Sequence, residues 1–175
     1  METSNTYSND NTYSFHKLKN KWSLYAHLPQ DTDWSHNSYK LIYTFENIEE
    51  IISIINYLPE TLIKNCMLFI MKDNILPMWE DPKNINGGCF SYKVINKYVC
   101  DVWRDLTYLL VGDTLSSNNN FNKNITGITI SPKKNFCIIK IWISNCDYQN
   151  PNIIDSNIKN LVSQGCLFKK HNIEN

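Results

Sequence analysis

The chain has 175 residues, a length that suits one domain and leaves no room for a second full domain. Seventeen basic residues balance 17 acidic ones, which excludes a broadly basic surface that would coat nucleic acid. No apolar run approaches the roughly 20 residues needed to cross a bilayer, and the N-terminus lacks the pattern of a secretion signal. We therefore expect an intracellular, cytoplasmic protein with no membrane partner.

The first residues differ in composition from the rest of the chain. Residues 1–14 are rich in Ser, Thr, Asn and Tyr and contain almost no aliphatic side chains. Such a segment cannot bury enough apolar surface to offset the entropy cost of ordering it. We predict a flexible polar tail over residues 1–14 and a single domain over residues 15–175.

The first half of this domain predicts two strands and a helix. Residues 21–26 and 39–45 have the length and the aromatic or β-branched content of strands, and they flank a polar loop that carries Trp34. Asn47 with Glu50 resembles a capping box. Isoleucines then recur at helical spacing, which predicts a first helix that ends before Pro59.

The second half predicts further strands around a second helix. An apolar stripe over residues 99–110 predicts that helix, which ends near Gly112. A long connection with two prolines carries Trp79. The remaining predicted elements are strands 66–71, 89–95, 125–131, 138–144 and 165–170 and a short helix over 153–162.

The order of these elements indicates the fold class. The connections are too short for repeated parallel crossovers, which predicts an α+β fold with a curved, mostly antiparallel sheet and helices on its convex face. Within strand 138–144, Ile139, Ile141 and Ile143 alternate with a second set that includes Lys140 and Trp142. The isoleucines suit packing under helices, so Lys140 and Trp142 are expected on the open face.

Catalytic and metal-binding patterns are missing from the sequence. It contains no GxSxG, HExxH or phosphate-cradling glycine motif, and its six cysteines form no CxxC pair. Cys89 beside a glycine pair could serve as a nucleophile, but no motif places a histidine near it. We predict a protein that is not an enzyme and needs neither a cofactor nor a metal.

Two loop tryptophans, Trp34 and Trp79, are candidates for ligand contact. Two parallel indoles separated by one ring can hold a planar base, and each stacked face contributes about 1 to 3 kcal/mol. Glu80 follows Trp79, and a carboxylate at the edge of such a slot can accept two hydrogen bonds from guanine. The alternative is that both indoles only pack against the domain.

Several motifs carry a resemblance to a known family. They are HKLKNKW at 16–22, DWS at 33–35, PMWEDPKN at 77–84 followed by Gly87 and Gly88, Trp103 nine residues before Gly112-Asp113, and IKIW at 139–142. Together they resemble the eukaryotic translation initiation factor 4E family of mRNA cap-binding proteins. The resemblance runs from about residue 16 to residue 144 and continues more weakly to residue 171.

The resemblance implies roles for four residues in reading the base. Trp34 and Trp79 match the two indoles that sandwich 7-methylguanine in the family. Glu80 matches the carboxylate that reads the Watson–Crick edge, and Trp142 matches the residue that contacts the N7-methyl group. Methylation gives the ring a positive charge, which strengthens stacking on electron-rich indoles. Unmethylated guanosine is expected to bind more weakly.

The residues expected around the phosphates depart from the family pattern. Relatives carry Arg and Lys where this chain has Cys89 and Ile138. Lys133 falls on the position of another phosphate-binding residue of the family, and Lys134 is adjacent. Our hypothesis is that Lys133, Lys134 and Lys140 bind the triphosphate. The alternative is that Lys134 and Lys140 are merely solvated.

The resemblance also implies a partner on the convex face, namely a scaffold protein of the initiation factor 4G type. Ile52 stands where relatives carry Trp, and Arg104 directly follows Trp103. We therefore expect a divergent equivalent of that scaffold, with core packing of Ile52 as the alternative. The predicted partner surface consists of His16, Leu18, Ile48, Ile52, Trp103 and Arg104.

The sequence leaves three functional readings open. The first is a factor that binds the 7-methylguanosine cap and recruits capped mRNA for translation initiation. The second is a cap-binding competitor or repressor of translation. The third is a protein-interaction module that has lost strong cap affinity because Cys89 and Ile138 replace basic residues.

Overall fold

A computed structural model describes residues 14–155 and 157–172. The predicted tail, residues 1–14, therefore lies outside the described residues except for Ser14. The strands are β1 (Lys17–His27), β2 (Tyr39–Asn47), β3 (Met67–Lys72), β4 (Gly88–Ile95), β5 (Ile125–Pro132), β6 (Phe136–Ile143) and β7 (Leu167–Lys170). The helices are α1 (Ile48–Tyr57), α2 (Glu60–Asn65), α3 (Val99–Val111) and α4 (Asn119–Asn124).

The seven strands form one sheet in the order β2-β1-β3-β5-β6-β4-β7. Every neighbouring pair in this order is antiparallel. Helices pack against one face of the curved sheet, and we call the other side the open face. The predicted α+β class is confirmed. None of the helices in the described residues is long and apolar enough to cross a membrane.

The main core lies between the sheet and the helices. Strand residues of one alternation set, such as Leu24 and Ile141, meet helix residues such as Ile51 and Leu106, and all four are almost completely buried. Helix α1 starts as predicted, because the Glu50 carboxylate accepts a hydrogen bond from the Asn47 backbone N–H at 3.0 Å. This core fixes the curvature and register that position the open face.

The open face carries a second, smaller apolar cluster. It contains Phe69, Met71, Ile75, Cys89 and Trp142, and Tyr25, Tyr39 and Met67 pack against it. Trp142 belongs to the alternation set opposite the β6 isoleucines, as predicted. Its indole is only 7% exposed, because the neighbouring strands supply an apolar surround. The open face therefore has an aromatic floor.

The predicted helix over residues 153–162 is wrong. The chain makes a 3-10 turn at Pro151–Ile153 and then irregular turns, with Asn160 at a left-handed φ of 68°. Asn150 accepts a hydrogen bond from the Asn152 backbone N–H, and such Asn side chains compete with helical hydrogen bonding. Ile154, Ile158 and Leu161 still enter the main core, which accounts for their helix-like spacing.

Candidate functional site

The loop that carries Trp79 and Glu80 is held by two buried polar side chains. Asp81 accepts hydrogen bonds from the backbone N–H groups of Leu76 at 2.9 Å and Lys83 at 2.8 Å. Asn84 donates to the carbonyls of Leu76 and Met78. Asp81 and Asn84 are buried, whereas Trp79 is 45% exposed. The motif therefore divides into residues that build the loop and residues that the loop presents.

The glycine pair after this loop allows close backbone packing. A Cβ on Gly87 would collide with the carbonyl of Ile143 in β6. A Cβ on Gly88 would lie 2.6 Å from the Lys169 carbonyl oxygen in β7. Both neighbours are backbone groups that cannot move aside, so only glycine fits at these positions. The pair thereby seats the Trp79 loop between β6 and β7.

The loop that carries Trp34 is anchored to the end of β1 by His27. The His27 and Trp34 rings stack with centroids 3.9 Å apart and planes within 3°. His27 Nε2 lies 2.8 Å from the Asp33 carbonyl oxygen, so that nitrogen donates to the loop backbone. His27 is 2% exposed and Trp34 is 53% exposed. One face of the Trp34 indole is therefore covered by protein while much of the side chain faces solvent.

Local hydrogen bonds shape the same loop. The Asp33 carboxylate accepts from the Ser35 N–H at 2.8 Å and from the Ser35 hydroxyl at 2.7 Å. Both bonds lower the pKa of Asp33 below its usual value, and the bond from the backbone N–H contributes more than the bond from the hydroxyl. Asp33 therefore stabilises the turn that carries Trp34.

Tyr39 lies beside Trp34 on the open face. Its ring lies 6.5 Å from that of Trp34, edge to face, and 5.4 Å from that of Phe69 in the floor. Burial raises the pKa of the Tyr39 phenol, and the Glu80 carboxylate raises it further. Glu80 therefore lies close enough for its charge to act on a residue beside Trp34, and both loops border the same open face.

A recess of about 280 Å³ contains three of the predicted site residues. It is lined by Trp79, Cys89, Lys140, Trp142, Lys169, Lys170 and His171. His171 packs against Trp142 with ring centroids 4.7 Å apart. Burial lowers the pKa of His171 to about 4, and the Lys140 charge contributes to the shift. The recess thus combines an exposed indole, a buried indole and several cations.

Trp34 lines a different recess, of about 400 Å³. Its lining residues are His27, Leu28, Pro29, Asp31, Trp34, Asn65, Met67, Ser131, Pro132 and Lys133. The structure thus brings Lys133 beside Trp34 and Lys140 beside Trp79, in two recesses that share no lining residue. Lys134 is exposed in the turn between β5 and β6 and lines neither recess.

The helix face carries an apolar groove of about 340 Å³. Leu18, Ile48 and Ile52 of the predicted partner surface line it, together with Lys17, Lys19, Ile51, Tyr108, Val111 and Gly112. His16 lies beside it as a partner of the Glu49 carboxylate, and Arg104 pairs with Asp101 and Asp105. Ile52 is 43% exposed, so it is not confined to the core.

The placement of Trp103 in the partner surface is wrong. Its side chain is 0% exposed and belongs to the main core under α3. On α3 it shares its side with Val99 and Leu106, at spacings of four and three residues, so the same stripe that predicted the helix buries the indole. A partner on this face cannot touch Trp103 without unfolding the helix.

The described residues, 14–155 and 157–172, contain no group of three or more His, Cys, Asp or Glu side chains able to hold a metal ion. Cys89 is buried in the floor, and its thiol lies 3.8 Å from the Ser91 hydroxyl oxygen.

Sequence reasoning missed four residues at the open face: His27, Lys169, Lys170 and His171. From the sequence, His27 falls in the polar loop that follows the first predicted strand, and only its place at the end of β1 reveals its contact with Trp34. The other three belong to β7 and the residue after it, and sheet pairing with β4 brings them to Trp79. Alternation alone could have placed Lys169 on one face of a predicted strand, but it could not name the neighbouring strand.

The fold and this face define the class: a single antiparallel sheet, backed by helices, that presents an aromatic floor between two loop indoles. The family model described as eukaryotic initiation factor 4E matches residues 17–174. The chain belongs to the eukaryotic initiation factor 4E family.

Relatives agree with this assignment. Eukaryotic translation initiation factor 4E-2 of Schizosaccharomyces pombe is 31% identical over 142 residues, which cover 75% of this chain and 55% of that protein. Eukaryotic translation initiation factor 4E of Candida albicans is 25% identical over 174 residues, covering 91% of this chain and 81% of that protein. A schistosome eIF4E, solved in complex with m7GpppG and 4E-BP, superposes with a TM-score of 0.68 at 27% identity, over 76% of this chain and 74% of that one.

Proposed function

We propose that this protein binds the 7-methylguanosine 5′ cap of mRNA on its open face. The observation that carries the proposal is the loop in which buried Asp81 and Asn84 hold Trp79 and Glu80 exposed beside the Trp142 recess. The schistosome relative was solved with a cap dinucleotide, which supports the same ligand class here. The role is binding, without catalysis.

In the proposed complex the methylated base stacks on Trp79 and on the face of Trp34 that His27 leaves uncovered. Glu80 accepts hydrogen bonds from the guanine edge, and Trp142 lies under the N7-methyl group. The ring charge of 7-methylguanine favours both the indole faces and the carboxylate. Trp34 and Trp79 line separate recesses, so the proposed sandwich requires the base to bridge the two loops.

Cations on both sides of the base would neutralise the phosphates. Lys140 lines the recess of Trp79, and Lys133 lines that of Trp34, with Lys134 next to it in the hairpin turn. None of the three forms an ion pair with an acidic side chain in the described part of the chain. They are therefore free to meet an anionic ligand, as the hypothesis for Lys133, Lys134 and Lys140 requires.

The groove on the helix face would recruit a scaffold of the initiation factor 4G type or a divergent equivalent, in the cytoplasm where translation begins. The schistosome relative was solved with a 4E-BP, which supports a protein partner. The exposed isoleucines Ile48 and Ile52 suit the apolar side of an amphipathic helix. A competitor of translation remains the second candidate, because Ile52 offers a partner a smaller apolar contact than an indole.

Tryptophan fluorescence titration tests the cap proposal. Methylated GTP should quench the tryptophan fluorescence of the protein. Unmethylated GTP lacks the positive ring charge, so it should bind at least tenfold more weakly, a difference of about 1.4 kcal/mol or more in binding free energy. Trp79→Ala and Trp34→Ala should each weaken binding, while Tyr57→Ala, which removes an 86% exposed aromatic from α1, serves as the matched control. Equal affinity for both nucleotides would refute cap reading.

A separate pair of measurements addresses the partner. An α-helical peptide of the 4G type should bind more tightly to Ile52→Trp than to the natural chain, and Ile52→Glu should abolish binding. Addition of the protein to a translation extract with a capped reporter then distinguishes promotion from repression. Tight binding that is insensitive to position 52 would exclude this groove.

A further inference from the structure

The recess beside Trp79 has an unusual charge distribution. Lys140, Lys169 and Lys170 line it, and none of the Asp and Glu residues in the described part of the chain does. Elsewhere in the described residues several lysines are neutralised, as Lys19 is by Asp113 and Lys21 by Glu46. In a chain with zero net charge, Lys140 and Lys169 at one recess, neither of them paired with a carboxylate of the described residues, indicate an anion site.

The strand register fixes where the charge lies. Cys89 of β4 is the register partner of Trp142 in β6 and of Lys169 in β7. The three residues therefore form one row across three strands on the open face, and partners in such a row have Cβ atoms about 4.5 to 5.5 Å apart. Lys140 stands in the next row, opposite Ser91. The Lys169 ammonium thus reaches the space above the uncharged floor of Cys89.

We propose that Lys169, together with Lys140, binds the phosphate chain of the capped nucleotide along the β4–β7 edge of the sheet. Lys170 also lines the recess, but it stands in the row of Gly88 and Ile143, and the Ile143 side chain enters the main core, so its ammonium is not assigned to a phosphate. This assignment rests on the proposed function, because the base has to stack at Trp79 for its phosphates to enter this recess. The phosphates then leave the base towards β7 instead of only towards the turn between β5 and β6.

A comparison of capped nucleotides with one, two and three phosphates tests the assignment. The full-length protein is titrated with 7-methylguanosine mono-, di- and triphosphate at several salt concentrations. Lys169→Ala should bind the triphosphate about 5- to 10-fold more weakly and the monophosphate almost unchanged, with a salt slope lowered by about one released ion. Lys159→Ala removes the same charge from the segment on the helix face, so it should leave the increase of affinity with phosphate number unchanged.

The outcomes separate the two proposals. The natural chain should bind more tightly with each added phosphate. If Lys169→Ala shows the same increase and the same salt dependence, the Lys169 assignment is overturned while cap binding stands. If no methylated nucleotide binds the natural chain, the proposed function and the assignment built on it both fall. Thermal melting with inorganic tripolyphosphate adds a readout without the base: stabilisation of the natural chain that Lys169→Ala loses and Lys159→Ala keeps supports the site. Equal stabilisation of all three proteins counts against it.

Discussion

Replacement of His27 by Ala would remove the contacts that hold the Trp34 loop on the sheet. The stacked ring pair at 3.9 Å contributes about 0.5 to 1.5 kcal/mol, and the Nε2–H bond to the Asp33 carbonyl contributes about 0.5 to 1.5 kcal/mol. The Asp33–Ser35 bonds remain and preserve part of the turn. We therefore expect a net loss of about 1 to 2 kcal/mol in cap affinity, which is about 5- to 30-fold.

Fluorescence titration with methylated GTP measures this loss directly. His27→Phe keeps an aromatic ring under Trp34 but removes the hydrogen bond, so its affinity should fall between those of the natural chain and His27→Ala. In the absence of ligand, a collisional quencher should reach Trp34 more readily in His27→Ala. Tighter binding by His27→Ala would show that His27 blocks the indole instead of supporting it, and the reasoning would be refuted.

Three further predictions concern stability and loop order. Trp103→Ala should lower the free energy of unfolding by about 3 to 5 kcal/mol in urea titrations, because a fully buried indole leaves a cavity; a loss below 1 kcal/mol would contradict its burial. Asp81→Ala frees two backbone donors, so it should weaken cap binding through disorder of the Trp79 loop, whereas exposed Lys83→Ala should have little effect. The pKa of His171 is about 4 in the folded chain and near 6.5 when unfolded, so the unfolded state binds more protons between these values and stability should fall as pH drops from about 6.5 to about 4. After allowance for solvent screening this loss is about 1 to 2 kcal/mol, and His171→Gln should flatten that part of the pH profile.

The two faces of the sheet were predictable because alternation is a local property. The β6 isoleucines and Lys140 with Trp142 fall on the sides that their period of two predicts. The order of strands was not predictable, since β4 lies between β6 and β7 through pairings distant in sequence. The sequence therefore groups Lys133 with Lys140 on one hairpin, but it does not indicate that Lys169 lies beside Lys140.

Helix predictions succeeded where an apolar stripe was long and failed where side-chain chemistry overrode it. Helix α3 follows its stripe over 13 residues. Around Ile154 and Ile158 the same spacing occurs among Asn, Asp and Ser, and turns bring the apolar side chains to the core instead. Burial of Trp103 follows from the α3 stripe as well, so its assignment to the surface came from the family resemblance and not from the pattern.

The strand order has a kinetic consequence for the chain during synthesis. Strand β4 begins at Gly88, yet its β6 partner arrives about 50 residues later and its β7 partner about 80 residues later. Sheets built from such distant pairings fold in milliseconds to seconds, because long loops must close before the contacts form. A nascent chain on the ribosome therefore exposes the Trp79 loop before β6 and β7, which line the recess beside it, have been synthesised. Under the proposed function, cap binding would have to await the emergence of Lys169.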